Sequence, residues 1–529
     1  MSTSSPGIVP AQAPVIADLK GCDAWLAQAS LADPRQACHE LTTLLEELED
    51  VPPPDHHFLD ILERLREPIS VAQVEHSKKF SGRPLPLRDF EAGAFDQVFD
   101  LWTTYGRAYR RLLRAAVEER APGLVADTAL LCERAIKCTA ELITAHYRSR
   151  REVDSEVWQS LHGLYQLAEA EGVAKRQVAA HRRSERTASP AQVYLRILLM
   201  ELAHPYSLSA RDLQWTRRWA GLWAHKVSLG LSLSQPQGYA VDLEGGAPPT
   251  WTQLASATAT TRFLDTTELR RSVKARIRKL ESGGDPESLG LGKDVIQPDA
   301  ARLLTQLYRA WVDAPVARQF TRRLVPGRTE LVAGLDSIHV AVGGRAFKSA
   351  ARHWDYSRRD AEQIAIYGSV SESGQDGPAG FSAEKWETLD ESANGFRLRR
   401  KGPGERLSHH QLVALKPHGA RSFILSEVRW LSVALDGSLT IGALALPGLA
   451  DPVAARPAWS ASDTPPSYVQ AFLLSAMPGG SPSLVLPPGY FQPGRELEMR
   501  ANETLKRVRL GALLQRGSDF DRGAFELLT

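Results

Sequence analysis

The apolar positions of this chain change period partway along it. From residue 34 to about 230 they recur every three to four residues. Leu41, Leu44, Leu45 and Leu48 form one stripe and Phe58, Leu59, Leu62 and Leu65 another, with Pro52-Pro53-Pro54 between them. Further helices are expected near 90–119, 125–147, 155–173, 190–202 and 210–226. The run Ser207-Leu208-Ser209-Ala210-Arg211-Asp212 supplies hydroxyls suited to capping the last of them. Trp215, Trp219 and Trp223 recur every four residues. They read as a stripe packed into the helical core in preference to an aromatic docking face.

Residues 235–250 break the pattern with Gln235-Pro236-Gln237-Gly238 and Gly245-Gly246-Ala247-Pro248-Pro249. Two more helical stretches, 263–280 and 299–312, lead into a region of two-residue period. Strand-like runs at 329–342, 411–416, 426–431 and 439–446 are divided by turn chemistry such as Lys416-Pro417-His418-Gly419 and Leu435-Asp436-Gly437-Ser438. A Pro/Ala/Ser-rich connector, 452–466, precedes short β-like runs at 469–476, 484–486, 496–500 and 506–513. These either extend the preceding sheet or form a small separate module.

Within the β region, Asp390-Glu391-Ser392-Ala393-Asn394-Gly395 forms an acidic, hydroxyl-bearing turn ending in glycine. It opens a strand with Phe396 and Leu398 on one side and Arg397 and Arg399 on the other. Gly395 is expected to allow a tight turn at positive φ. D-x-S-x-x-G followed by these strands resembles the signature of PilZ domains, bacterial β-barrels that bind the second messenger cyclic di-GMP. The family's other motif, R-x-x-x-R ahead of the first barrel strand, is matched by Arg318-Gln319-Phe320-Thr321-Arg322, with Arg323 and Arg328 close behind. Arg107/Arg111, Arg110/Arg114 and Arg182/Arg186 share the spacing but read as solvated helix faces. From Arg322 to Asp390 is 68 residues, longer than the family shows, so 343–385 is expected to be a surface insertion.

The resemblance covers roughly 318–449. It says nothing of the remainder; together with the change in apolar period, the expected fold is an α+β multidomain protein: an all-helical N-terminal region, a PilZ-like antiparallel β-barrel and a small C-terminal β-rich unit. The expected boundaries are a tail at 1–17, a helical domain at 18–235, linker and helices at 236–315, the barrel at 316–455 and an extension at 456–529. The implied ligand-binding residues are Arg318, Arg322, Asp390, Ser392 and Gly395. Arginine suits such a ligand because its fork pairs with phosphate oxygens or guanine O6 and N7, and its plane stacks on a base. A carboxylate at Asp390 suits the N1–H and N2–H edge of guanine.

Composition narrows the alternatives. A length of 529 residues suggests two to four domains. The formal net charge of +2 provides no global field for a nucleic-acid polymer or an anionic membrane, so any anion site must be local. The N-terminus lacks a signal-peptide pattern and no apolar run approaches the ~20 residues needed to span a bilayer, so a soluble, cytoplasmic protein without membrane insertion is expected. Cys22, Cys38, Cys132 and Cys138 form no C-x-x-C pair and read as buried thiols; His56-His57 and His409-His410 lack further ligands at metal spacing. No metal or cofactor is expected. Walker, Rossmann, kinase, zincin and nucleophile-elbow patterns are absent, as are cyclase and phosphodiesterase signatures, so no enzyme is expected. Two functions remain: a cyclic di-GMP effector whose helical region meets an unidentified protein partner, or a PilZ-like scaffold that binds proteins and no nucleotide.

Overall fold

The computed structural model describes residues 16, 18–50, 55–179, 187–233, 237–253, 257–313, 323–324, 327–344, 347, 382–458, 466–476, 480–501 and 504–528. The chain divides into two compact units, Met1–Arg83 with Leu87–Ala317 and Pro84–Pro86 with Arg318–Thr529. Among the described residues no helix is long and apolar enough to cross a membrane.

The first unit begins with α1 (Leu19–Gln28), α2 (Pro34–Glu47), α3 (His56–Ser77), α4 (Asp89–Val117), α5 (Thr128–Ser149), α6 (Ser155–Ala170), α7 (Pro190–Leu202) and α8 (Ala210–Trp223). Short polar side chains start six of them. Asp18, Asp33, Asp55, Asp154, Ser189 and Ser209 each accept a hydrogen bond from a first-turn N–H, satisfying donors that a helix leaves open. Both expected leucine and phenylalanine stripes are buried, as are all four cysteines. Trp215, Trp219 and Trp223 lie side by side in the core, their ring centroids 6.1 and 6.3 Å apart. Trp219 donates to the Leu291 carbonyl at 2.9 Å and Trp215 to Asp294 at 2.9 Å.

Residues 236–315 do more than link. Strands β1 (Ser228–Gly230), β2 (Gln237–Asp242), β3 (Thr250–Gln253) and β4 (Thr261–Asp265) form a sheet in the order β1-β4-β2-β3, followed by α9 (Thr267–Glu281) and α10 (Asp299–Val312). Tyr239, Val241, Leu264, Val273 and Trp311 belong to the same hydrophobic core as the first eight helices. Strands this short, set among Pro and Gly turns, give too few alternating positions to stand out in sequence.

In the second unit, β5 (Arg328–Ala333), β6 (Glu384–Glu391), β7 (Gly395–Arg400), β8 (Leu412–Lys416), β9 (Ile424–Val433) and β10 (Leu439–Ala445) close into an antiparallel barrel in the order β10-β7-β6-β5-β8-β9. The strand expected over 329–342 ends early. Gly334 takes φ 81° and the chain turns into α11 (Leu335–Gly343), which buries Ile338 and Val340. The apolar residues Ile338, Val340 and Val342 alternate as a strand would, and the glycine decides against it. The insertion expected over 343–385 is also shorter than anticipated: Glu384 and Lys385 are barrel residues, opposite Leu331 and Glu330 of β5. Most of that segment, including 348–381, lies outside the described residues.

A second closed barrel follows, made of β11 (Ala450–Pro457), β12 (Val469–Leu474), β13 (Ser483–Leu486), β14 (Glu496–Ala501), β15 (Thr504–Arg516) and β16 (Asp521–Leu528), in the order β11-β12-β13-β16-β15-β14. Strand β11 crosses the boundary expected at 455/456 and occupies part of the expected connector. Its inward residues Val453 and Ala455 are buried, but alanine carries a weak strand signal. The two barrels share a core in which Val332, Leu412 and Leu425 of the first join Phe472, Val485 and Phe520 of the second.

Candidate functional site

The six residues Asp390–Gly395 form the end of β6, the hairpin turn and the first residue of β7. Ser392 closes the turn: its N–H donates to the Gly395 carbonyl at 2.8 Å, and its Oγ accepts from the Gly395 N–H at 3.1 Å. Gly395 does not adopt the positive φ expected of it. Instead, a Cβ there would stand 3.1 Å from the Ser392 hydroxyl, so close approach accounts for the glycine.

A register shift between Thr388 and Asp390 sets Asp390 opposite Arg397. Such a bulge re-aims side chains at a strand end. Asp390 Oδ2 lies 3.9 Å from the Arg397 guanidinium, with the carboxylate 13% and the arginine 47% exposed. At this separation, with the guanidinium half exposed, the pair contributes ~0–1 kcal/mol. Beside it, Arg399 binds Glu387 through two hydrogen bonds of 3.0 Å, so the positive outer face expected of β7 is largely answered by β6.

Arg397 also lies over the Trp430 ring at 6.0 Å, and Trp430 faces Gly442 across the β9–β10 pair. A Cβ on Gly442 would come within 1.9 Å of the indole nitrogen. Gly442→Ala is therefore expected to displace the indole and destabilise the unit by ~1–3 kcal/mol, read as a lowered urea midpoint. An unchanged midpoint would mean that the ring swings aside without cost.

Arg318 and Arg322 lie outside the described residues. The next residue, Arg323, exchanges both backbone hydrogen bonds with Glu391, at 2.8 and 3.0 Å. Further along, Thr388 N–H donates to the Gly327 carbonyl at 3.0 Å and Arg328 stands opposite Glu387. Arg323, Gly327 and Arg328 thus meet Glu391, Thr388 and Glu387 in antiparallel order, and the long interval in sequence closes through the backbone. Arg323 and Arg328 are exposed. Sequence reasoning noted both, but the bridge to Glu391 is a long-range pairing with no local signal.

The arginine pairs taken as solvated helix faces are partly structural. Arg107 pairs with Glu49 at 3.0 Å, Arg111 donates to the carbonyls of Leu48 and Glu49, and Arg110 donates to Thr139 at 2.9 Å. Arg182 and Arg186 lie outside the described residues.

Residues 20–236 match the family model described as "Cyclic-di-GMP receptor FimW, N-terminal domain", and residues 453–528 match the "FimW C-terminal beta-barrel domain". No curated protein matches the chain. The first match coincides with the helical run and the second with the β11–β16 barrel, while the barrel bearing Asp390–Gly395 lies between them. Over residues 20–236 and 453–528 the chain is therefore similar to the two terminal domains of FimW, the first of them described as belonging to a cyclic-di-GMP receptor.

Proposed function

We propose that this chain is a receptor for cyclic di-GMP and that the dinucleotide binds on the first barrel, acting as a PilZ domain. The binding groups are Arg318 and Arg322 from the approach to β5, and Asp390, Ser392 and Gly395 from the β6–β7 hairpin. The observation that supports this reading is the backbone exchange between Arg323, the residue after the arginine motif, and Glu391, the residue after Asp390. The arginines address phosphate or guanine through charge-assisted hydrogen bonds. Asp390 releases Arg397 and accepts from the guanine edge. The receptor family gives this ligand independent support. In this reading the helical unit carries the contact with a protein partner, and ligand on the barrel alters that contact.

One observation favours the scaffold reading. Ser392 is already occupied in closing the hairpin and Asp390 already faces Arg397, so both motif residues have a structural role without ligand. Titration calorimetry with cyclic di-GMP separates the two. Arg318→Ala, Arg322→Ala and Asp390→Ala are each expected to weaken binding about tenfold or more, since a charged hydrogen bond contributes ~1.5–3 kcal/mol. Arg107→Ala, at the same motif spacing but paired with Glu49, is expected to bind as wild type. Absence of binding by the wild-type chain supports the scaffold, and binding that survives both arginine changes transfers their role to Arg323 or Arg328.

A further inference from the structure

We propose that the helical unit holds a ligand site of its own, which takes the base of a purine nucleoside or nucleotide, in the cavity between α7, the β2–β3 pair and α10. The inference is independent of the barrel reading, since every group it uses lies within the first unit.

The cavity measures about 1070 Å³, and Leu202, Pro249, Trp251, Pro298 and Ala301 give it a largely apolar wall. That is room for a nucleotide, at the upper end of the ~300–1,000 Å³ usual for small-ligand pockets. Trp251 is half-buried, so part of its indole stays uncovered for a ligand. Tyr239 braces it: the two ring centroids lie 4.9 Å apart with the planes at 87°. Tyr239 is itself buried, and its hydroxyl donates to the Ala310 carbonyl at 2.8 Å. An indole held by an anchored ring is a preformed stacking surface for a flat heterocycle.

The same wall carries an unused acceptor. Glu201, near the end of α7, lines the cavity and accepts from the Tyr147 hydroxyl through Oε2 at 2.6 Å. Its other oxygen, Oε1, accepts no hydrogen bond among the described residues. Burial raises the pKa of this carboxyl and the Tyr147 bond opposes the rise; no described cation contributes. A largely buried acceptor without a donor is costly, and the N–H edge of a base would supply the donor.

Other occupants fit less well. An aliphatic ligand would cover the apolar wall and leave Oε1 without a donor. A small cation would answer Glu201 but bring like charge towards Arg302 and Arg309, which line the cavity from α10. A neutral base supplies N–H donors and no charge. Arg302, Thr305, Gln306 and Arg309 fall on one face of α10. Arg302 is already bound to Asp212 at 3.0 and 3.2 Å. The other three offer a hydroxyl, an amide and a guanidinium to the ribose and phosphate that follow a base.

The test uses the full chain carrying Asp390→Ala, so that the guanine edge of the barrel motif is disabled. Guanosine, adenosine and guanosine monophosphate are compared with uridine by thermal shift and tryptophan fluorescence. A purine nucleoside is expected to raise Tm above the uridine control and to quench the fluorescence. Tighter binding by the monophosphate than by guanosine identifies a nucleotide as the source, and equal binding identifies the nucleoside. Trp251→Ala is expected to weaken binding about tenfold, the loss of one base–aromatic stack. Ala301→Leu is expected to weaken it in the same direction by filling the cavity, and it keeps a strong helix former in α10. It carries the test if Trp251→Ala fails to fold. The proposal is overturned if neither purine raises Tm beyond uridine, or if the shift persists undiminished in the folded variants.

Discussion

Trp219→Ala is expected to cost the helical unit about 3–5 kcal/mol, the usual range for deleting a large aromatic from a core. Trp219 is fully buried between Trp215 and Trp223, so the space left is walled by rigid rings that cannot collapse into it. Its indole N–H is also the donor to the buried Leu291 carbonyl, at 2.9 Å. Trp219→Phe separates the two effects, because it keeps most of the volume and leaves that carbonyl without its donor, a loss of ~1–3 kcal/mol. Urea denaturation followed by far-UV circular dichroism measures both. A loss below about 1 kcal/mol for the alanine variant would mean that the stripe is less tightly packed than the ring distances indicate.

Removing the charge of Glu141 is expected to have a comparable effect. Burial alone would raise its carboxyl, but Arg217, Arg196 and Arg148 outweigh that and hold it down to about 2. Glu141→Gln would leave these guanidiniums facing one another, and breaking a buried pair in this way typically costs ~3–5 kcal/mol. The pH dependence has a definite sign. The folded pKa lies below the ordinary value of 4.5, so the stabilisation is complete above pH 4.5 and is lost as pH falls towards about 2. Wild-type stability measured between pH 7 and pH 2 should fall through that window, and the Glu141→Gln variant should fall less steeply. Parallel slopes would assign the acid sensitivity to other carboxylates.

The sequence made local features visible and left long-range ones hidden. The stripes through Leu41–Leu48 and Phe58–Leu65 were legible because one helix face must carry them. Ser209 was legible as a cap because a hydroxyl before a helix has few competing uses. The strands around 411–446 were legible from alternation and from turns at Gly419 and Gly437, both at positive φ. Strand β16 was not, because Asp521-Arg522-Gly523-Ala524 presents no alternation. At the candidate site, Asp390, Ser392 and Gly395 were legible as a motif, but their contacts were not. The pairing of Asp390 with Arg397 depends on a register shift, and the bridge from Arg323 to Glu391 spans most of the first barrel's sequence.

The shared core of the two barrels has a consequence for the order in which the protein is made. Val332, Leu412 and Leu425 leave the ribosome well before Phe472, Val485 and Phe520, the residues that cover them. Chains emerge at about 5–20 residues per second, and domains tend to fold as they appear. The first barrel cannot finish in that way, because one wall of its core comes from strands that are made after it. Until Phe520 arrives, β5, β8 and β9 would present an uncovered apolar face. Nascent chains arrested before β13 should therefore require chaperone protection that the chain carrying both barrels does not.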